Sequence, residues 1–293
     1  MKKFGKYILF LLLTLFAIML FLDVGYTWVY NHGAYRNKAM WVRDMQGKAE
    51  VDYIVLGSSR AKYYIDPKIV EEKTGAYGLN LGVNAFTSIE IYLMLEEFLK
   101  VRNTKKVFVQ VDSKYIEDDP DLVGEQVWIP YLQERDKYEI FENFGSAYIF
   151  GYYVPFYRYQ RSEARLGYRN VLPSLMGKGV DYEKNAGFKA RSGLLVEDRP
   201  YIADQPIVAE NPYFKKVIAL CKENDIELHF FTSPIYGFKG DLSPLYSYLP
   251  NYVDLKDSLK DRDLFSDQTH VNERGAIEFS RIFSETFFNN AKD

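Results

Sequence analysis

The sequence predicts an α/β fold, a mostly parallel sheet with helices on both faces, and three observations carry that expectation. Short apolar runs rich in β-branched and aromatic residues, near Val51, Tyr77, Lys106, Ile226 and Tyr252, alternate with segments of helical periodicity. A chain of 293 residues, 47% hydrophobic and 26% charged, is large enough for one well-filled domain with an insertion. Between Ser113 and Pro206 the alternation breaks, over a stretch too long for a bare loop in a compact domain. A largely helical insertion at about 113–206 is therefore expected inside an α/β domain spanning 51–293.

Tyr7 to Leu22 is apolar apart from Thr14, follows Lys2, Lys3 and Lys6, and ends at Asp23. The run is a little short of the roughly 20 residues that span a bilayer. Val24, Tyr26, Trp28 and Tyr30 extend it into an interfacial aromatic belt. A cleaved signal peptide is the competing reading, but no small-x-small site follows and aromatic residues crowd the place where a peptidase would act. The expectation is an uncleaved transmembrane anchor over residues 1–25, its lysines holding the N-terminus in the cytoplasm and the remainder lying outside. Residues 26–50 are expected as a juxtamembrane helix or spacer. The net charge of -3 argues against a general nucleic-acid binder.

The strand Val51 to Leu56 stops at Gly57, and Ile65-Asp66-Pro67 marks a turn. Lys68 to Thr74 is a short helix closed by Gly75, and Tyr77 to Leu81 a second strand. Ile89 to Lys100 has helical spacing, with Ser88 as its cap, and Lys106 to Val111 is the third strand. Within the insertion, aromatics from Trp128 to Tyr159 form either a helical core or a surface that meets lipid or a membrane partner. Arg158, Arg161, Arg165 and Arg169 recur at spacings of three, four and four, which places them on one helical face. That face is either solvated or a recognition site for phosphate or carboxylate groups. Pro212 to Asn224 is a helix that carries the lone Cys221 as a small buried hydrophobe. Ile226 to Thr232 and Tyr252 to Leu255 are the remaining strands, and Asn272 to Asn289, capped by Asn272, is the last helix.

Ser58 and Ser59 follow Gly57 at the carboxyl edge of the first strand, where open α/β sheets bind ligands. A serine hydroxyl needs a base before it is a nucleophile. Of three histidines, His32 follows the apolar segment and His229 lies inside a strand pattern. His270 stands in Asp267-Gln268-Thr269-His270, a polar turn before the last helix. A carboxylate three residues before an imidazole can reach back to Nδ1 and leave Nε2 free to take a proton. The competing readings are helix capping by Ser58 and Ser59, and a capped turn at Asp267 and His270. No cluster has metal-ligand spacing, so neither metal nor cofactor is expected.

With Gly57-Ser58-Ser59, then Asn80-Leu81-Gly82, then Asp267-Gln268-Thr269-His270 in order, the chain resembles the SGNH (GDSL-type) hydrolase superfamily. Within it, the likeness is to the membrane-anchored branch of DltD-like and polysaccharide O-acetyltransferase proteins. The resemblance implies a three-layer, flavodoxin-like sheet and a Ser59, His270 and Asp267 triad. It implies an oxyanion hole from the backbone N–H groups of Ser59 and Gly82, with Asn84 replacing the third-block Asn that is missing from Val109-Gln110-Val111-Asp112-Ser113. Ser58, Arg60, Arg158 and Arg161 are candidate substrate-binding residues. The implied activity is O-acyl transfer or ester hydrolysis on a cell-envelope polysaccharide, with a multispanning membrane-bound acyltransferase as partner. The alternative is a catalytically silent protein of the same fold that binds glycan or such a partner.

Overall fold

The computed structural model describes residues 2–45, 50–196, 199–203 and 205–288. The chain has an α/β fold with a five-stranded parallel sheet and a long apolar N-terminal helix. It divides into two compact units, residues 1–40 with 125–180 and residues 41–124 with 181–293.

The second unit holds the sheet. Its strands are β1 (Val51–Leu56), β2 (Gly78–Asn80), β3 (Thr104–Gln110), β4 (Glu227–Thr232) and β5 (Tyr252–Asp254), in the order β2-β1-β3-β4-β5. All pairs are parallel. This order reverses between β1 and β3, the place where a doubly wound sheet opens a crevice at its carboxyl edge. β1 and β2 and the later residues of β3 and β4 are largely buried on both faces, and the period of two sorts their side chains. On one face Phe231 meets Phe283 of the last helix at 5.5 Å and Phe108 meets Phe283 at 4.9 Å. On the other, the adjacent Phe230 meets Phe214 of helix Pro212–Glu223 at 5.8 Å. Fully burying one such ring is worth about 1.5–3 kcal/mol.

Most expected elements form within a few residues of their predicted ends. Helix Pro67–Thr74 starts on the Asp66 side chain and closes on Gly75, whose φ of 74° suits glycine. Helix Ser88–Val101 starts one residue earlier than expected, with Thr87 rather than Ser88 as its cap, because Glu90 accepts the Thr87 N–H at 2.8 Å. The last helix, Glu273–Phe288, takes a hydrogen bond from Gly275 N–H onto Asn272 Oδ1 at 3.1 Å. Its expected end at Asn289 lies outside the described residues. The sequence pattern did not reveal a two-stranded antiparallel hairpin, β6 (Phe265–Asp267) and β7 (His270–Val271), in which Asp267 pairs with His270.

The first unit is helical. Helix Lys2–His32 is long and apolar enough to cross a membrane, and it runs ten residues past the apolar stretch. Asp23, Val29 and Tyr30 are buried against the rest of the unit. The arginine series does not share a helical face, because the segment breaks into helices Tyr157–Arg161, Glu163–Leu166 and Tyr168–Leu175. Ser162 and Gly167 stand at the two breaks.

Candidate functional site

β1 delivers the turn that carries Ser58 and Ser59. Gly57 has φ of 143°, and a Cβ there would stand 2.8 Å from Gln110 Cβ, so only glycine lets the chain leave the sheet at this point. Ser58 caps a single turn of helix, Ser59–Lys62, which sets Ser59 at its first position. A Cβ on Gly82 would meet Lys62 N at 2.6 Å, so the second glycine lets β2's exit pass close under that turn. Asn80, fully buried, fastens the turn from below: its Nδ2 donates to Ala61 O at 2.8 Å and Ile65 O at 2.7 Å.

β3 holds the other side. The β1–β3 register sets Leu56 beside Val109, which brings Gln110 next to the turn. Gln110 Oε1 accepts the Ser58 hydroxyl at 2.9 Å, and its Nε2 donates to Asp112 Oδ2 at 2.8 Å. Asp112 Oδ2 in turn pairs with Arg60 Nη2 at 2.7 Å, both side chains being almost completely buried. Ser58 and Arg60 border the recess described below, yet the Ser58 hydroxyl is given to Gln110 and the Arg60 charge is answered by Asp112.

The β6–β7 hairpin presents His270 to that turn. His270 Nε2 lies 2.7 Å from Ser59 Oγ, and its Nδ1 lies 2.9 and 3.0 Å from Asp267 Oδ1 and Oδ2. The network sets the tautomer: Nδ1–H donates to Asp267 and Nε2 accepts the Ser59 proton. Thr269 gives Asp267 Oδ1 its N–H at 2.9 Å and its hydroxyl at 3.0 Å. Partial burial alone would raise the Asp267 carboxyl, but hydrogen bonding and charge from His270, with the Thr269 donors, hold it well below the usual carboxylate range. Arg191 adds a further contact, Nη2 to Asp267 Oδ2 at 2.7 Å, with its guanidinium over the Tyr63 ring at 5.6 Å. The Tyr63 ring stands edge-on to His270, 5.9 Å between centroids. Ser59 and His270 open onto a recess of about 250 Å³, walled also by Ala85, Thr87, Lys114 and Tyr201.

Of the expected oxyanion donors, Ser59 borders the recess at the first position of its helix, whereas Gly82 and Asn84 are not placed as anticipated. Gly82 N–H is given to Asn80 Oδ1 at 3.0 Å, so it is already spent within its own turn. Asn84 does not line the recess, and its Oδ1 is buried without a hydrogen-bond partner among the described residues. Ala85, the next residue, does line it, with φ of 59°. Arg158 and Arg161 belong to the helical unit, where each faces a carboxylate: Arg158 is buried on Asp23 at 2.9 Å, and Arg161 stands 3.6 Å from Glu125. Buried pairing leaves Arg158 no free face for a substrate. His229 is a packed strand residue, bonded to Glu227 at 2.6 Å and stacked on Phe108 at 5.3 Å.

Sequence reasoning missed Gln110, Asp112, Tyr63 and Arg191. The polar Gln110 and Asp112 at the end of an apolar strand were a signal for the first two; Arg191 had none. The chain matches no known protein family and no curated protein by sequence. Among solved structures it is similar to a chain described as "a putative platelet activating factor from Streptococcus pneumonia", at 10% identity and a TM-score of 0.38 over 96% of this chain and 97% of that one.

Proposed function

We propose that this chain is a membrane-anchored serine acyltransferase or esterase of the SGNH type, acting outside the cytoplasm on O-acyl groups of a cell-envelope polysaccharide or related polymer. The observation that carries the reading is the 2.7 Å approach of Ser59 Oγ to His270 Nε2, with Asp267 on the opposite nitrogen. In this mechanism Ser59 Oγ bonds to the acyl carbonyl carbon as His270 Nε2 takes its proton, and Asp267 stabilises the imidazolium. The tetrahedral intermediate expels the alcohol, which leaves with that proton. Water or a sugar hydroxyl then attacks the acyl-serine, His270 again carrying the proton, and Ser59 is restored. Arg191 and Tyr63 act as positioning residues, Arg191 on the Asp267 carboxylate and Tyr63 edge-on to the imidazole ring. Retention of the N-terminal helix is supported by its side chains, since Asp23, Thr27 and Tyr30 are hydrogen-bonded into the helical unit. The partner in this reading is a multispanning membrane-bound acyltransferase that delivers the acyl group.

A second reading is favoured by the Gly82 amide that Asn80 already occupies: a silent protein of this fold that binds glycan or the membrane partner. A fluorophosphonate separates the two. In the enzyme reading it labels Ser59, and Ser59→Ala abolishes labelling and lowers turnover on the order of 10⁴-fold or more, as loss of a triad nucleophile does. Wild-type protein with neither labelling nor turnover on acetyl esters would leave the binding reading.

A further inference from the structure

Helix Lys2–His32 carries more information than its hydropathy. From Phe4 to Ile18 it is bare on all sides, with exposures from 42% at Ile8 to 74% at Tyr7 among its large side chains. That is about 15 residues, roughly 22 Å at 1.5 Å per residue, against a hydrocarbon core of about 30 Å. Beyond Ile18 the helix is two-faced. Met19, Leu22, Asp23, Tyr26 and Tyr30 turn into the helical unit, while Leu20, Phe21, Val24 and Trp28 on the other side stay exposed and apolar. A helix bare over only 22 Å reaches the far edge of the hydrocarbon roughly 8 Å later, near Val24. The part of the unit that packs beside Met19 to Val24 is then at the same depth.

The shoulder formed by helix Ser146–Tyr153 and the turn after it joins that part through the turn, and Phe150 of the helix meets Tyr157 just beyond it at 5.7 Å. It is tied to the long helix at a definite height: Asp23 Oδ2 accepts the Phe156 N–H at 2.6 Å, and Arg158 pairs with the same carboxylate at 2.9 Å. Tyr26 meets the Phe156 ring edge-on at 5.1 Å. On the shoulder, Tyr148 and Gly151 point inward, while Ile149, Phe150 and Tyr153 share the outward face at 40%, 51% and 67% exposure. An outward face made of such side chains, at spacings of one, three and four, is the reverse of a helix exposed to water.

We propose that this shoulder is seated in the bilayer, with Ile149, Phe150 and Tyr153 in contact with lipid on the side from which the helix emerges, and with the Asp23–Arg158 pair fixing the depth. The inference rests on the reading of Lys2–His32 as a retained anchor. The occupant is lipid because the outward side chains of the shoulder are apolar or aromatic and the length of bare helix sets their turn at the hydrocarbon edge. An immersion of roughly 8 Å is within the 5–10 Å typical of interfacial helices.

The test uses the full chain in phosphatidylcholine and phosphatidylglycerol vesicles, with nitroxides on Phe150→Cys and Tyr153→Cys, one at a time. Native Cys221 stays in place, since burial pushes its thiol up to about 12 and hides it from the label. Control labels go on Phe10→Cys, in the bare helix, and Leu172→Cys, on helix Tyr168–Leu175. The expected result is an oxygen-to-nickel collision ratio at 150 and 153 several-fold above that at 172 and approaching that at 10. An aqueous ratio at 150 and 153 beside a lipidic one at 10 overturns the proposal and leaves the anchor standing. Shielding of 150 and 153 from both reagents overturns it in favour of a protein occupant, whether a second copy or a membrane partner. An aqueous ratio at 10 removes the anchor itself, and the proposal with it. Lipid-phase carbene labelling of the unsubstituted chain supplies the same readout without a variant: adducts on the peptide holding residues 146–157 support immersion, and their absence beside adducts on the N-terminal helix opposes it.

Discussion

In the sheet unit the aromatic core is set apart from the polar edge, where the buried Arg60–Asp112 pair lies. Phe108, Phe231, Phe279 and Phe283 fill the space between sheet and last helix, and the polar groups gather at the carboxyl edge around Ser59. In the helical unit they are mixed: Asp23 and Arg158 are both buried and paired, and Tyr148 donates to the buried Glu125. A unit of the first kind tolerates changes at Ser59, Asp267 and His270 without losing its fold, because hydrophobic burial is not shared with them. A unit of the second kind ties stability to the integrity of each pair, since a buried charge without its partner is costly.

The largest effect should come from the second kind. Arg158→Ala leaves the Asp23 carboxylate buried and uncompensated and is expected to cost the helical unit about 3–5 kcal/mol, read by urea unfolding in detergent. Asp23→Leu combined with Arg158→Met should recover most of that loss. A cost of Arg158→Ala below about 1 kcal/mol would mark the pair as an ordinary exposed one and weaken the comparison.

The sheet unit also buries the Glu90 carboxyl. Burial raises Glu90 from its ordinary 4.5 to about 7, against the opposing hydrogen bonds from Thr87 and Asp121. Between those values the folded chain holds a proton that the unfolded chain has released, so stability should fall as pH rises from about 4.5 to about 7, by up to about 1.4 kcal/mol per unit. Glu90→Gln should flatten that slope in urea titrations at successive pH. Asp267, whose carboxyl is lowered, acts in the opposite sense and elsewhere: its contribution is present above the ordinary 3.8 and is lost as pH falls below it. An unchanged slope in the Gln variant would place the titration on another group.

Arg191→Ala tests whether the site's supports can be removed without touching the fold. Asp267 and Arg191 are each about a third exposed, so solvent screening keeps the contact near 1 kcal/mol or less and a kcat loss of roughly fivefold is expected. KM and unfolding midpoint should hold, and Arg191→Lys should restore part of kcat. A change in KM alone would instead make Arg191 a substrate contact. The smallest effect is expected at Asn84, which stands off the recess: Asn84→Ala should leave turnover within about twofold, where loss of a true oxyanion donor costs on the order of 100-fold or more.

The same contrast governs what could be read from the chain. Sheet strands are short apolar runs between glycines and caps, so β1 to β5 and their helices were legible from periodicity alone. Asp267 and His270 were legible because they sit three residues apart on one hairpin, and Ser59 because a glycine releases it from a strand. Arg191, 76 residues from Asp267, reaches it only through the tertiary fold. The arginine series misled because periodicity assumed one continuous helix, whereas the chain breaks at Ser162 and Gly167. Asn80 and Gly82 were found as a motif, but the Gly82 amide expected at an oxyanion is given to Asn80 Oδ1, while the Asn80 amide fastens the turn after Ser59.

The Asp23–Arg158 pair also sets a timetable. Its two halves lie 135 residues apart, with the first 84 residues of the sheet unit, 41–124, between them. At 5–20 residues per second, a ribosome that has just made Asp23 takes roughly 7–27 seconds to make its partner. For that interval the carboxylate has no guanidinium, and the least costly place for it is water, just beyond the last apolar turn. If the helix is the anchor proposed above, a charge held there stops it from sliding deeper while β1, β2 and β3 are being synthesised, and it is still at that height when Arg158 arrives to close the unit around it.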